Sequence, residues 1–186
     1  MIGYLPTTLT VAEKEYPINT DFRNVLIFLE ACEDPDLSNE ERLYILLKRM
    51  YGNGYEDIPK DCIGEALEQA KWFVDCGKNE DNTEKRKMID WTQDASIIFP
   101  AVNKVANKEV RSEAYLHWWT FMGYFMEIEG GTFSTVLSIR QKRMKGRKLE
   151  KWEQDFYSHN KNICDIRTRY TEEEQAEIDY WNKLLG

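Results

Sequence analysis

His117 is one of only two histidines in the chain, and its imidazole has the widest chemical range of any side chain present. A neutral imidazole can ligate a metal or move a proton near neutral pH. Asp90 and Asp94 stand four residues apart, so on a helix they would share a face. Two carboxylates facing a histidine make a metal-ligand or acid–base set. Against that reading, catalytic and metal sites gather more converging polar groups than these three. The favoured reading makes His117 a core-edge residue and the two aspartates solvated or capping groups.

The remaining chemistry-bearing residues are sparse. No GxSxG, HExxH, phosphate-loop or dinucleotide fingerprint occurs. Gly52-Asn53-Gly54 reads as a helix-ending turn, since no strand feeds it and no lysine follows, and Gly130-Gly131 reads as punctuation. Cys32, Cys62, Cys76 and Cys164 form no CxxC pair, which argues against zinc and for free, mostly buried thiols in a reducing cytoplasm. A Cys62–Cys76 disulfide is the less favoured alternative. No catalytic, cofactor-binding or metal-ligating residue is therefore assigned, and no cofactor is expected.

One dense basic run stands out: Arg140, Lys142, Arg143, Lys145, Arg147 and Lys148. It can contact nucleic acid or an acidic partner. The favoured alternative is a solvated helix end whose charge complements the helix C-terminus and the acidic segment Glu172 to Glu177. A net charge of -8 argues against general nucleic-acid binding, and no exposed aromatics are expected to interleave the run for single-strand stacking.

These residues must be positioned by a mostly helical frame. Ala114 to Ile128 contains Tyr115, Leu116, Trp118, Trp119, Phe121, Met122, Tyr124, Phe125, Met126 and Ile128, too many for a one-sided helix and too few to cross a bilayer. The run predicts a central helix over about 114–128, buried nearly all round. Trp118 and Trp119 point about 100° apart on it, so each is either core or an interface anchor.

Before it, Leu9 and Val11 share a strand face, and Ala12-Glu13-Lys14-Glu15 reads as a polar turn leading to Tyr16-Pro17-Ile18, a short β-hairpin. Thr20-Asp21 opens a first helix, with Thr20 as its N-cap. Ser38-Asn39-Glu40-Glu41 is a capping box for a second. Pro59 suits the first turn of a third helix that Gly77 ends.

Lys78 to Lys87 is nearly all polar and reads as a mobile loop and nick site. A helix from about Met88 to Asn107 carries Pro100, with a kink or a break expected near Phe99. Thr132 is the N-cap of the helix that enters the basic run. A further helix covers roughly 148–160, and Thr171-Glu172-Glu173-Glu174 caps a final one.

The fold class is mostly α (α+β), with a short N-terminal hairpin. Residues 1–147 are expected to form one helical domain and 148–186 a helical extension, packed or protruding. No membrane-spanning segment and no signal peptide are read.

Several of these features occur together in a known family. Thr20-Asp21-Phe22-Arg23 follows the hairpin, Leu37-Ser38 to Leu47 forms the second helix, and Trp72-Phe73-Val74-Asp75-Cys76-Gly77 closes the third. Asp94-Ala95-Ser96-Ile97-Ile98 leads to Leu116-His117-Trp118-Trp119-Thr120-Phe121, then Gly131-Thr132-Phe133 and Ile139-Arg140. In this order the chain resembles the small tail-assembly protein family of long-tailed phages and prophages of Gram-positive bacteria.

The resemblance implies a non-enzymatic tail assembly chaperone of the host cytoplasm. It would keep the tape-measure protein soluble, help recruit tube subunits of the major tail protein, and be absent or substoichiometric in the virion. A structural component retained in the tail is the alternative. The basic run, with exposed apolar positions on outer helices, is then the expected partner-binding segment. Neither nucleic acid nor membrane is an expected partner, and a homo-oligomer is compatible with the reading.

Overall fold

The computed structural model describes residues 3–78 and 87–185. The polar stretch read as a nick site lies outside the described residues except at its two ends. Helices dominate, and the one sheet among the described residues is a two-stranded hairpin, so the fold is mostly α with a β-hairpin. The chain forms two compact units: residues 3–5, 20–22, 72–78 and 87–167 in one, and 6–19, 23–71 and 168–185 in the other.

In the second unit β1 (Thr8–Val11) pairs antiparallel with β2 (Lys14–Pro17), in the register Leu9↔Tyr16 and Val11↔Lys14. Period-2 alternation buries Leu9, Val11 and Tyr16 on one face. The turn is shorter than the expected four residues. Ala12 (φ 49°) and Glu13 (φ 61°) make it alone, and Lys14-Glu15 already belong to β2. Two positive φ angles match the right-handed twist of a tight hairpin. Pro17 sits at the end of its strand, where its missing N–H costs least.

Helix α1 (Phe22–Cys32) supplies residues 23–32 to this unit, α2 (Asn39–Tyr51) belongs to it whole, and α3 (Ile63–Val74) supplies 63–71. The capping box of α2 is present: Glu41 N donates to Ser38 Oγ and Ser38 N to Glu41 Oε2. Gly52, at φ 56°, ends α2 as expected. Pro59 precedes a short 3-10 turn (Lys60–Cys62) that leads into α3, so it lies outside the helix proper. Tyr51 ties the unit together, its hydroxyl donating to Ala66 O at 2.9 Å, and burial pushes that hydroxyl's pKa well up.

The first unit holds the other end of α3 and four further helices, α4 (Ala95–Ala106), α5 (Trp118–Met126), α6 (Gly131–Met144) and α7 (Lys151–His159), with the short α8 (Lys161–Cys164). The helix expected from 88 starts only at Ala95. Asp90 Oδ1 takes the N–H groups of Thr92 and Gln93, and Asp94 Oδ2 takes that of Asp90, which holds 90–94 as a turn. Pro100 lies inside α4. Helix α6 is preceded by Gly130, so Thr132 falls within its first turn and does not cap it.

The central helix is also shorter than expected. Leu116 and His117 are extended and make a β-bridge with residues 20–22: Phe22 N donates to Leu116 O and Trp118 N to Thr20 O. Thr20, expected as a cap, has its hydroxyl 2.6 Å from that of Tyr115. Only one side of α5, Trp118 and Phe121, is fully buried, while Met126 is exposed. Phe22 and Phe121 stack at 4.7 Å between ring centres. Around them Ile98, Val102, Phe133, Val136 and Ile139 complete the core. Helices α7 and α8 close over α6, with Leu149, Phe156, Tyr157 and Ile163 packed on Val136, Ile139 and Cys164.

Candidate partner-binding surface

The basic run divides into an inner and an outer part. Arg140 is 5% exposed, and its guanidinium forks onto Asp94 (2.6 and 2.8 Å) while donating to the carbonyls of Cys164, Ile163 and Met88. All five of its N–H donors have acceptors, and they fix residue 88, the start of α4 and the end of α8 to α6. Arg140 is thus an internal strut, and the expectation that it binds a partner is corrected.

Lys142 donates to both oxygens of the buried Glu153 at 2.7 Å, which lowers the Glu153 pKa and raises that of Lys142. Arg143 pairs with Asp165 and lies over the Tyr157 ring at 4.2 Å.

Beyond Met144 the chain turns outward. Gly146 adopts φ 62° and its N–H reaches Arg143 O, while Arg147 N reaches Lys142 O, the paired bonds of a helix stop that needs a left-handed residue. Lys145, Arg147 and Lys148 are exposed, and so are Lys151 and, at 53%, Trp152. Trp152 follows the run in sequence and does not interleave it. Its indole N–H donates to Glu150.

The same unit carries a cleft of about 500 Å³. Helix α4 presents Ile97, Pro100, Ala101, Lys104 and Val105 to it, the i, i+3, i+4, i+7, i+8 positions of a single face. Ile128 and Phe133 form the facing wall, and Glu127 and Glu129 stand at the mouth with Lys104. Pro100 has no N–H to give the carbonyl of Ser96, which also lines the cleft. An apolar face with mixed charge among the lining residues suits an amphipathic segment.

His117 and the two aspartates serve the fold. His117 is the N-cap of α5, with Nδ1 accepting from Trp119 N at 3.0 Å, which places the ring proton of the neutral form on Nε2. Lys87 pairs with Asp90, and Asp94 holds Arg140. Among the described residues no three His, Cys, Asp or Glu side chains are grouped to hold a metal ion.

Both tryptophans also have structural duties. Trp118 Nε1 donates to Val74 O and Trp119 Nε1 to Phe73 O, answering two carbonyls at the end of α3. Gly77, at φ 78°, comes close to Trp119: a Cβ there would lie 3.1 Å from the indole.

The sequence profile described as Bacteriophage Gp15 protein matches residues 1–166. The chain belongs to the bacteriophage Gp15 protein family. No match was found among curated proteins or among solved structures. In this Gp15-family chain the matched region takes in the Arg140 network, the cleft and the outer cations, and stops before the last helix. Among the described residues, no helix is long and apolar enough to cross a membrane.

Proposed function

We propose that this phage protein is a non-enzymatic tail-assembly factor. In this reading it binds the tape-measure protein in the host cytoplasm and helps bring tube subunits of the major tail protein to it. The observation that carries the reading is the cleft along the half-buried apolar face of α4 in a chain from a phage family. A tape-measure protein is a long helical chain whose apolar stripes need cover before assembly, and a stripe laid into a groove is a recurring mode of helix recognition. The exposed outer cations Lys145, Arg147 and Lys148 supply a second contact for acidic stretches of the same partner. The bonding of His117, Asp90 and Asp94 within the fold supports a binding role over catalysis.

Two variants test the surface. Val105→Glu puts a charge into the cleft, and the triple reversal of Lys145, Arg147 and Lys148 to Glu inverts the outer edge. Both spare the Arg140 network. Each should reduce capture of the tape-measure protein in a pull-down, by about tenfold for a charge buried in an apolar contact. Wild-type capture by both variants would remove the proposed surface. A stoichiometric amount of the protein in purified virions would instead favour a structural tail component.

A further inference from the structure

Helix α9 (Glu172–Leu185) lies beyond the profile-matched region and is nearly uncovered. It is well formed in itself: Thr171 N donates to Glu174 Oε2 and Glu174 N to Thr171 Oγ1, the expected capping box, and Gln175 reaches Asp179. Its last turns expose Tyr180 (62%), Trp181 (48%) and Leu184 (62%), with Ile178 on the same stripe. Glu172, Glu173, Glu174, Glu177 and Asp179 make it acidic, against the single cation Lys183. Two adjacent aromatics held out in water on a capped helix are an interface anchor awaiting a surface.

The same unit contains a surface of matching character. Helices α1 and α2 leave a groove of about 430 Å³ floored by Ile27, Ala31, Tyr44 and Ile45, with Lys48 and Arg49 beside it. Ile27 and Tyr44 are exposed, so the chain's own α9 leaves the groove open. The root of α9 is fixed at the connection between those two helices: Glu172 N donates to Asp36 Oδ1 and Arg169 pairs with Glu33.

We propose that the groove takes α9 of a second copy, each copy lending its helix to the other in a closed two-fold dimer. Three observations choose this occupant. The helix is acidic, and the groove is flanked by the exposed Arg49 and by Lys48, which is bridged to Glu56. The helix presents a bulky apolar stripe and the groove an apolar floor. Helix and groove also belong to one unit, so a reciprocal exchange satisfies both surfaces of both copies with one contact type. The dimer does not depend on any tape-measure partner.

The test uses the full chain. Light scattering after size exclusion should give twice the chain mass of 22.1 kDa. Trp181→Asp, a change at an exposed position that leaves the body of the fold intact, should return it to one chain. In a Cys32→Ser background, mixing a chain carrying Ile27→Cys with one carrying Leu184→Cys and adding a short bis-maleimide should cross-link the two different chains. A monomer at every concentration, a dimer unmoved by Trp181→Asp, or no cross-link between the mixed chains would each overturn the proposal.

Discussion

Arg140 shows how far a residue's role can lie from the appearance of its neighbourhood in the sequence. It heads a run of cations, yet it is the buried partner of Asp94, 46 positions away. Taking away one member of a buried pair leaves the other charged and unanswered, which typically costs about 3–5 kcal/mol. Arg140→Met should therefore lower unfolding stability by about that amount in urea denaturation. A loss below about 1 kcal/mol would show that Asp94 finds another partner.

Glu153 gives the pH counterpart. Lys142 holds its folded pKa below the ordinary carboxylate value, so the pair's stabilisation is present above the unfolded value of about 4.3 and is lost as pH falls through the folded one. Thermal melts should show Glu153→Gln destabilising at pH 7 and converging on wild type at acid pH. A constant gap at all pH values would contradict the assignment. Neither partnership is legible in the sequence, because nothing in local spacing reports that residue 94 or 153 folds onto α6.

At the scale of elements the sequence is more informative. The two capping boxes, the helix-ending Gly52 and the hairpin's buried face all follow from local chemistry, and the structure keeps them. The helix starts that differ share a cause: composition suggests them, whereas backbone or side-chain partners decide them. Residues 116–117 leave the central helix to bridge residues 20–22, and Asp90 and Asp94 fold 90–94 into a turn ahead of α4. The hairpin turn is tighter than its sequence suggests because Ala12 and Glu13 are not typical residues for positive φ. The double substitution Ala12→Asn with Glu13→Gly supplies residues that adopt those angles readily. It should stabilise the protein by about 0.5–1 kcal/mol, read as a raised melting temperature. Destabilisation would mean that the native side chains contribute more than their backbone strain costs.

At the scale of the molecule, membership of a phage family is shown, and the cleft along the half-buried apolar face of α4 is what turns it into a specific proposal. The family resemblance points to the basic run as the contact surface. Folding withdraws Arg140 and pairs Lys142 and Arg143 with the protein's own carboxylates, leaving the outer cations at the turn after α6. The cleft is not legible in the sequence, since Ile97, Pro100, Ala101 and Val105 look like core positions, and only the fold shows Pro100 exposed and the others half-buried along an open cleft.

The most direct test is co-expression with the tape-measure protein of the same phage, followed by size exclusion with light scattering. The account predicts that the tape-measure protein becomes soluble and co-elutes with this protein at a defined mass ratio. A tape-measure protein that stays insoluble, while this protein elutes without it, would contradict the account.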